Sequence, residues 1–164
     1  MVSGRIDSAH AAAAWAALQR RRKRPIAIVN GCFDGLHVGH LELLRQAQTP
    51  RNGEDLIYSV LVCVDSDRRV AFLKGSDRPI FPQAERVAML EACRYVDRVE
   101  VFESPDELRE IVEAVAPTWI VRGEGERGRK PVWCEELATR GVLWVQTPPV
   151  HTSDIVQRVL DRQI

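Results

Sequence analysis

The sequence has no excess of either charge: its 164 residues hold 23 Lys and Arg against 23 Asp and Glu. A balanced chain casts no long-range field that would gather nucleic acid, so a charged small ligand must be held by local features. No apolar run approaches the length of a membrane span. The four cysteines, Cys32, Cys63, Cys93 and Cys134, are scattered and form no C-x-x-C pair. They suit reduced small hydrophobes better than a disulfide framework or a zinc ribbon. Near the amino terminus an Ala-rich part precedes a basic part, the reverse of a secretory signal, and the expectation is a cytoplasmic protein. Repeats, linkers and low-complexity segments are also missing. The length suits a single domain over 1–164, with an N-terminal helix and its basic end in 1–24 and an α/β core in 25–164.

Apolar and β-branched runs predict strands at Ile26 to Val29, Leu56 to Val64, Val96 to Phe102, Thr118 to Val121 and Val142 to Val145. Helical spacing predicts helices over Ala9 to Leu18, Leu36 to Gln46, Gln83 to Cys93 and Val132 to Arg140, and a last helix capped by Ser153 and running to about Arg162. Ser104 and Pro105 read as N-cap and first turn of a further helix that Pro117 ends. Polar, charged Ser66 to Pro82 reads as a loop. Alternating strands and helices imply a Rossmann-like α/β fold: a parallel five-stranded sheet with helices on both faces and ligands beyond the strands' carboxyl ends. The basic run Arg20 to Arg24 closes an Ala-rich helix before Pro25, where cations complement the helix dipole; this accounts for it better than a nucleic-acid patch does.

The most informative stretch is Asn30-Gly31-Cys32-Phe33-Asp34-Gly35-Leu36-His37-Val38-Gly39-His40, at the junction of the first core strand and its helix. Residues three apart share a helix face, so His37 and His40, expected in the helix's first turn, can present ring nitrogens to one anion. Free N–H groups and the helix dipole point the same way. Gly31, Gly35 and Gly39 let the main chain approach a phosphate closely. Zinc is the rival ligand, but a zinc helix more often spaces its histidines at i and i+4 with a glutamate between.

The segment resembles the His-x-Gly-His signature of cytidylyltransferase-like nucleotidyltransferases, in the variant that opens Asn-Gly-Cys-Phe-Asp. It is most similar to the adenylyltransferase domain of ADP-heptose synthases, and more distantly to glycerol-3-phosphate cytidylyltransferases. Val64-Asp65-Ser66-Asp67, Leu73-Lys74-Gly75, Arg78-Pro79-Ile80, Glu85-Arg86, Val96-Asp97, Val121-Arg122-Gly123 and His151-Thr152-Ser153 follow in the family's order. The resemblance implies that His37, His40 and Lys74 are catalytic. It places Asn30, Gly31, Cys32, Phe33, Gly39, Arg122, Gly123, Thr152 and Ser153 on the nucleotide and its phosphates, and Asp34 and Asp65 on the acceptor. His151 stands where the family has the first serine of Ser-Thr-Thr, and Glu124 to Lys130 departs from the family pattern.

The expected substrates are a nucleoside triphosphate and a small phosphorylated sugar or polyol. ATP with a heptose 1-phosphate comes first. A glycerol-3-phosphate-type cytidylyltransferase is the alternative, favoured by Arg94-Tyr95-Val96-Asp97, and a catalytically silent nucleotide-binding regulator is an alternative of another class. Mg2+ is expected on the triphosphate, with no protein ligand assigned. A homodimer and a separate sugar kinase complete the expected partners; nucleic acid and membrane do not figure among them.

Overall fold

The computed structural model describes residues 8–50, 53, 55–128 and 134–162. In chain order the elements are α1 (Ser8–Arg21), β1 (Ile26–Gly31), α2 (Val38–Gln48), β2 (Ser59–Asp65), α3 (Asp67–Lys74), α4 (Gln83–Glu91), β3 (Arg98–Phe102), α5 (Pro105–Val115), β4 (Trp119–Gly123), β5 (Val142–Val145) and α6 (Thr152–Leu160), with single 3-10 turns at Glu124–Glu126 and Glu135–Leu137. All strand pairs are parallel, in the order β3-β2-β1-β4-β5. The chain therefore builds outward from β1 on one side, then crosses back to place β4 on the other. Right-handed crossovers of opposite direction put their helices on opposite faces.

Side-chain alternation along β1 divides the core. Ile26 and Ile28 pack with Leu61, Cys63 and Ile120 against α1 and α5. Ala27 and Val29 pack with Val60, Val62, Val64 and Val121 against Leu44 and Ala47 of α2 and Leu90 of α4. Both faces of the central strands are covered, which is why those strands are continuously apolar. Ser104 caps α5 by accepting from the Glu107 N–H, with Pro105 in the first turn as expected. Ala116, at φ 42°, ends that helix.

Four expectations are corrected. The stretch Ser66 to Pro82 is not all loop: Ser66 accepts from the Arg69 N–H and starts α3, a helix with only Val70 buried and so no apolar stripe to betray it. Strand β2 begins at Ser59, opposite Ile26, because β1 offers no earlier partner; Leu56 and Ile57 stay exposed. On α4 the helical period expected from Ala84, Val87, Ala88, Met89 and Leu90 is only partly the inward face: the buried residues are Arg86 and Leu90, while Ala84 and Ala88 are exposed. Of the helix expected over Val132 to Arg140, Val132 and Trp133 lie outside the described residues, and the remainder forms only the turn Glu135–Leu137.

Candidate active site

The strands run out onto a cleft of about 1110 Å³. It opens between the carboxyl ends of β1 and β4, where the strand order reverses and successive loops diverge. Every residue singled out from sequence lines it: Asn30, Gly31, Cys32, Phe33, Asp34, His37, Gly39, His40, Asp65, Lys74, Arg122, Gly123, Thr152 and Ser153. Placement is a matter of geometry; the groups differ in how free they are to meet a ligand.

His37 is the N-cap of α2, extended at φ −134° and ψ 171°, and His40 is three residues on. The helix thus starts one residue later than both histidines would need to share its first turn. Their rings nevertheless stack, with centroids 3.7 Å apart and planes 22° from parallel. Phe33 flanks His40 at 5.1 Å between centroids. It is itself buried and holds the left-handed backbone value φ 49°, a conformation that costs a non-glycine residue of order 1 kcal/mol. A β-carbon on Gly39 would stand 3.1 Å from the His37 ring and 3.1 Å from the Pro148 carbonyl. Glycine here lets the ring, the helix start and the loop after β5 close on one another.

The electrostatics keep the pair neutral. Burial pushes His40 down to about 3, helped by His37, Lys74 and then His151, while a hydrogen bond to the Gly35 backbone pulls the other way. His37 is also lowered, by burial first and then by His151 and Lys74, against Asp154. In both rings Nδ1 is buried with no hydrogen-bond partner. A proton on Nε2 of His37 leaves that N–H as a donor for an anion, while the His40 ring also meets the Gly35 backbone.

Two carboxylates at the cleft are already engaged. Asp34 is enclosed: it accepts from the Ile80 and Phe81 N–H groups at 2.8 and 2.9 Å and from Arg78 at 2.7 Å. Burial is the largest influence on its acidity and pushes it up, yet the Phe81 N–H, the Arg78 guanidinium and the Ile80 N–H together hold it below the usual carboxylate range. Asp65 pairs with Arg69 one helical turn on and accepts from the Cys32 thiol at 3.4 Å. Burial, then Asp65, pushes Cys32 up to about 12, so it remains a thiol and a donor.

Behind them lies Arg86, fully buried on α4. Its guanidinium donates to the carbonyls of Cys32, Asp65 and Phe81 and pairs with Asp67 at 2.8 Å. One side chain thereby ties the β1 exit, the β2 exit, the start of α3 and the segment before α4. The sequence signal was Arg86 spaced four residues from Leu90: an arginine on what proves to be the inward stripe of a helix. Arg69 had no such signal, because α3 itself was not expected.

Lys74 is the last residue of α3 rather than part of a loop, and Gly75 at φ 103° ends the helix. Among the described residues it is the one lysine or arginine lining the cleft without an ion pair; Arg69, Arg78 and Arg122 all have carboxylate partners. Arg122 is drawn to Glu135 and Glu126 and lies over Trp144 at 5.7 Å. At α6, His151 rather than Ser153 is the N-cap, with its N–H donated to Asp154. Thr152 donates its hydroxyl to the Asp34 carbonyl at 2.8 Å, strapping α6 to the loop after β1. Among the described residues no group of three or more His, Cys, Asp or Glu is placed to hold a metal ion, and no helix is long and apolar enough to cross a membrane.

Known proteins resemble this chain in sequence and in fold. A family model described as cytidylyltransferase-like matches residues 28–158. The bifunctional protein HldE of Desulfatibacillum aliphaticivorans is 37% identical over 145 residues, 85% of this chain and 28% of that protein. Its namesake in Koribacter versatilis is 40% identical over 122 residues, 74% and 24% of the respective chains. The chain thus spans about a quarter of the length of these curated relatives. Among solved structures, the lipopolysaccharide core biosynthesis protein from Thermoplasma volcanium shares the fold with a TM-score of 0.58 at 20% identity, over 76% of this chain and 98% of that one. With a family model matching most of the chain and relatives 37–40% identical over most of it, the chain belongs to the cytidylyltransferase-like family of nucleotidyltransferases.

Proposed function

We propose that the chain joins a nucleoside monophosphate, from ATP in the first instance, to a phosphorylated sugar of the heptose 1-phosphate type. An oxygen of the acceptor phosphate attacks the α-phosphorus in line, a new P–O–P linkage forms, the Pα–O bond to the β-phosphate breaks, and pyrophosphate leaves. The nucleophile is already an anion, so no general base is needed; the work is positioning and stabilising charge. The observation that carries this reading is the stacked His37–His40 pair with both Nδ1 atoms buried. His37 then offers Nε2–H to the phosphoryl oxygens, with the His40 ring stacked on it, and Lys74 supplies the unpaired cation.

In this reading Thr152 and Ser153 present the α6 N-terminus to the β- and γ-phosphates, and Asn30, Gly31, Cys32, Phe33, Gly39, Arg122 and Gly123 enclose the nucleotide. Asp34 and Asp65 serve the acceptor through the guanidinia they hold, Arg78 and Arg69. Mg2+ arrives on the triphosphate, held by its oxygens and water, which suits a cleft whose two inner carboxylates are taken up by arginines. The acceptor's phosphate comes from a separate sugar kinase activity. Arg94-Tyr95-Val96-Asp97 does not bear on the cytidylyltransferase alternative through this cleft: Asp97 accepts from the Val60 N–H near the opposite end of β2 and faces Arg24.

Pyrophosphate release with ATP, CTP, GTP and UTP against a panel of sugar and polyol phosphates tests the proposal. Release with ATP and an aldose 1-phosphate supports it. Release only with CTP and glycerol 3-phosphate favours the alternative acceptor, and triphosphate binding with no turnover on any acceptor favours a silent regulator.

A further inference from the structure

The cleft lies at the carboxyl ends of the strands, and a second concentration of charge lies at their amino ends. Helix α1 stops at Arg21, and Arg20 and Arg21 in its last turn complement the helix dipole. Arg22, Lys23 and Arg24 follow beyond the helix, where the dipole does not account for them. Lys23 holds the left-handed backbone value φ 56°, a position that glycine would occupy without strain, yet a cation stands there. Arg20 donates to the Val115 carbonyl at the end of α5, and Arg24 faces Asp97 at 4.0 Å. Arg21, Arg22 and Lys23 are exposed and have no ion-pair partner among the described residues. With this run of five set apart, 18 Lys and Arg face 23 Asp and Glu over the rest of the chain, so the balance of the whole conceals one positive end.

Apolar groups stand beside these cations. Ser59 opens β2 opposite Ile26; its N–H donates to the Pro25 carbonyl at 2.9 Å and its hydroxyl to the Gln19 side-chain oxygen at 3.1 Å. Leu56 and Ile57, just before it, therefore reach the sheet beside the end of the basic run, and they are 47% and 55% exposed. Leu18, also exposed, shares a face of α1 with Arg22 four positions on. No exposed aromatic ring joins the patch: among the described residues the exposed large aromatic is Phe72, on α3.

We propose that this end of the molecule docks on an anionic lipid bilayer, with the cations over the headgroups, Leu56 and Ile57 in the interface, and the cleft turned towards the solvent. The proposal does not depend on the nucleotidyltransferase reading. A cluster of cations and a few exposed aliphatic side chains are the two signals that together hold a protein at a membrane surface. A single-stranded nucleic acid would call for aromatic platforms, and a duplex has no use for paired aliphatics. Asp55, beside Leu56, and Asp97, facing Arg24, offset part of the charge, so the contact is reversible and sensitive to salt.

Flotation of the full chain with phosphatidylcholine vesicles, with and without phosphatidylglycerol, tests this on the parent, on the triple variant Arg21→Gln, Arg22→Gln, Lys23→Gln, and on the double variant Leu56→Ser, Ile57→Ser. All five side chains are exposed, so both variants keep the fold, which circular dichroism verifies. The parent is expected to float with the anionic vesicles only, and to leave them at about 0.5 M salt. Loss of the three cations should lower the partition coefficient about a hundredfold, and loss of the two aliphatics about tenfold. No flotation, equal flotation with neutral vesicles, or a triple variant within about threefold of the parent overturns the proposal. So does a parent that binds duplex DNA and not vesicles, which assigns the patch to nucleic acid. Pyrophosphate release by the triple variant should match the parent's, because the cleft is at the other end of the sheet. A parent that floats but does not turn over keeps the membrane contact and defeats the enzymatic reading.

Discussion

Removing the guanidinium of Arg86 tests whether the site is built on this buried side chain. Arg86→Met keeps most of the volume and deletes the charge. Three main-chain carbonyls, those of Cys32, Asp65 and Phe81, then lose their donor inside the protein. The fourth partner, the Asp67 carboxylate, is 48% exposed and can return to water. Hydrogen bonds from a charged donor are worth about 1.5–3 kcal/mol each and do not add fully, so the three carbonyls at the lower end cost about 4–5 kcal/mol. That is a large part of a stability of about 5–15 kcal/mol, and it lowers Tm by roughly 10–15 °C for a chain of this size. Urea unfolding followed by circular dichroism reads the first figure and calorimetry the second. Arg86→Lys, which keeps the charge but cannot reach four acceptors, falls between. An Arg86→Met protein within about 1 kcal/mol of the parent would refute the claim that this residue holds the β1 and β2 exits together.

The other predictions concern the cleft itself. His37→Ala and His40→Ala each lower turnover by about 10²-fold or more while circular dichroism stays that of the parent, by analogy with removing one oxyanion donor; unchanged turnover in both sinks the assignment. His40 resists protonation in the fold, so its contribution to stability is complete above the ordinary histidine range and is lost as pH falls from there towards about 3. The parent should weaken by at most about 1.4 kcal/mol per pH unit between about pH 6 and 4 from this group, and His40→Gln should show a flatter slope in urea titrations at each pH. Gly39→Ala forces the His37 ring or the Pro148 carbonyl to give by a few tenths of an ångström, and kcat/KM should fall about tenfold with little loss of stability. Cys32, at about 12, should resist iodoacetamide in the native protein at neutral pH and react once urea unfolds it; fast native labelling would contradict its bond to Asp65.

The sheet was legible because its central strands are buried on both faces and therefore read as unbroken apolar runs, and the first cleft loop because histidine and glycine spacing has few other uses. What escaped has a common cause. Helix α3 is held by the Ser66 cap and by polar contacts of Arg69 and Asp67 rather than by an apolar stripe, so periodicity could not find it. Arg86 occupies an inward position where pattern reading expects a hydrophobe, and only the three carbonyls and the Asp67 carboxylate that the tertiary fold brings there explain it. Arg122 is held by Glu135, thirteen positions along the chain, a pairing that no local spacing announces. Local signals report what a residue does to its own helix or strand; these three report what the tertiary structure does with its polar groups.

A chain with no net charge still has to attract a polyanion, and the cleft accomplishes this by spending its carboxylates inward. Asp34 and Asp65 each face an arginine and a backbone or thiol donor, so their charge is neutralised inside the wall. Asp67 does the same for Arg86. What is left facing the solvent side is Lys74 without a carboxylate partner among the described residues, two neutral imidazoles and the starts of α2 and α6. Such a surface attracts phosphate through donors and dipoles rather than through a fixed cluster of cations, which keeps pyrophosphate from being held too tightly to leave. The same arrangement explains why the pair is kept neutral: protons on both rings would set two cations 3.7 Å apart between ring centres, a repulsion the fold avoids by disfavouring the charged form of each. Putting a permanent cation in place of one of these rings, as in a His40→Lys protein, should therefore trap product and slow turnover even where it tightens triphosphate binding, and a faster enzyme from that substitution would show that charge, not neutrality, is what the cleft lacks.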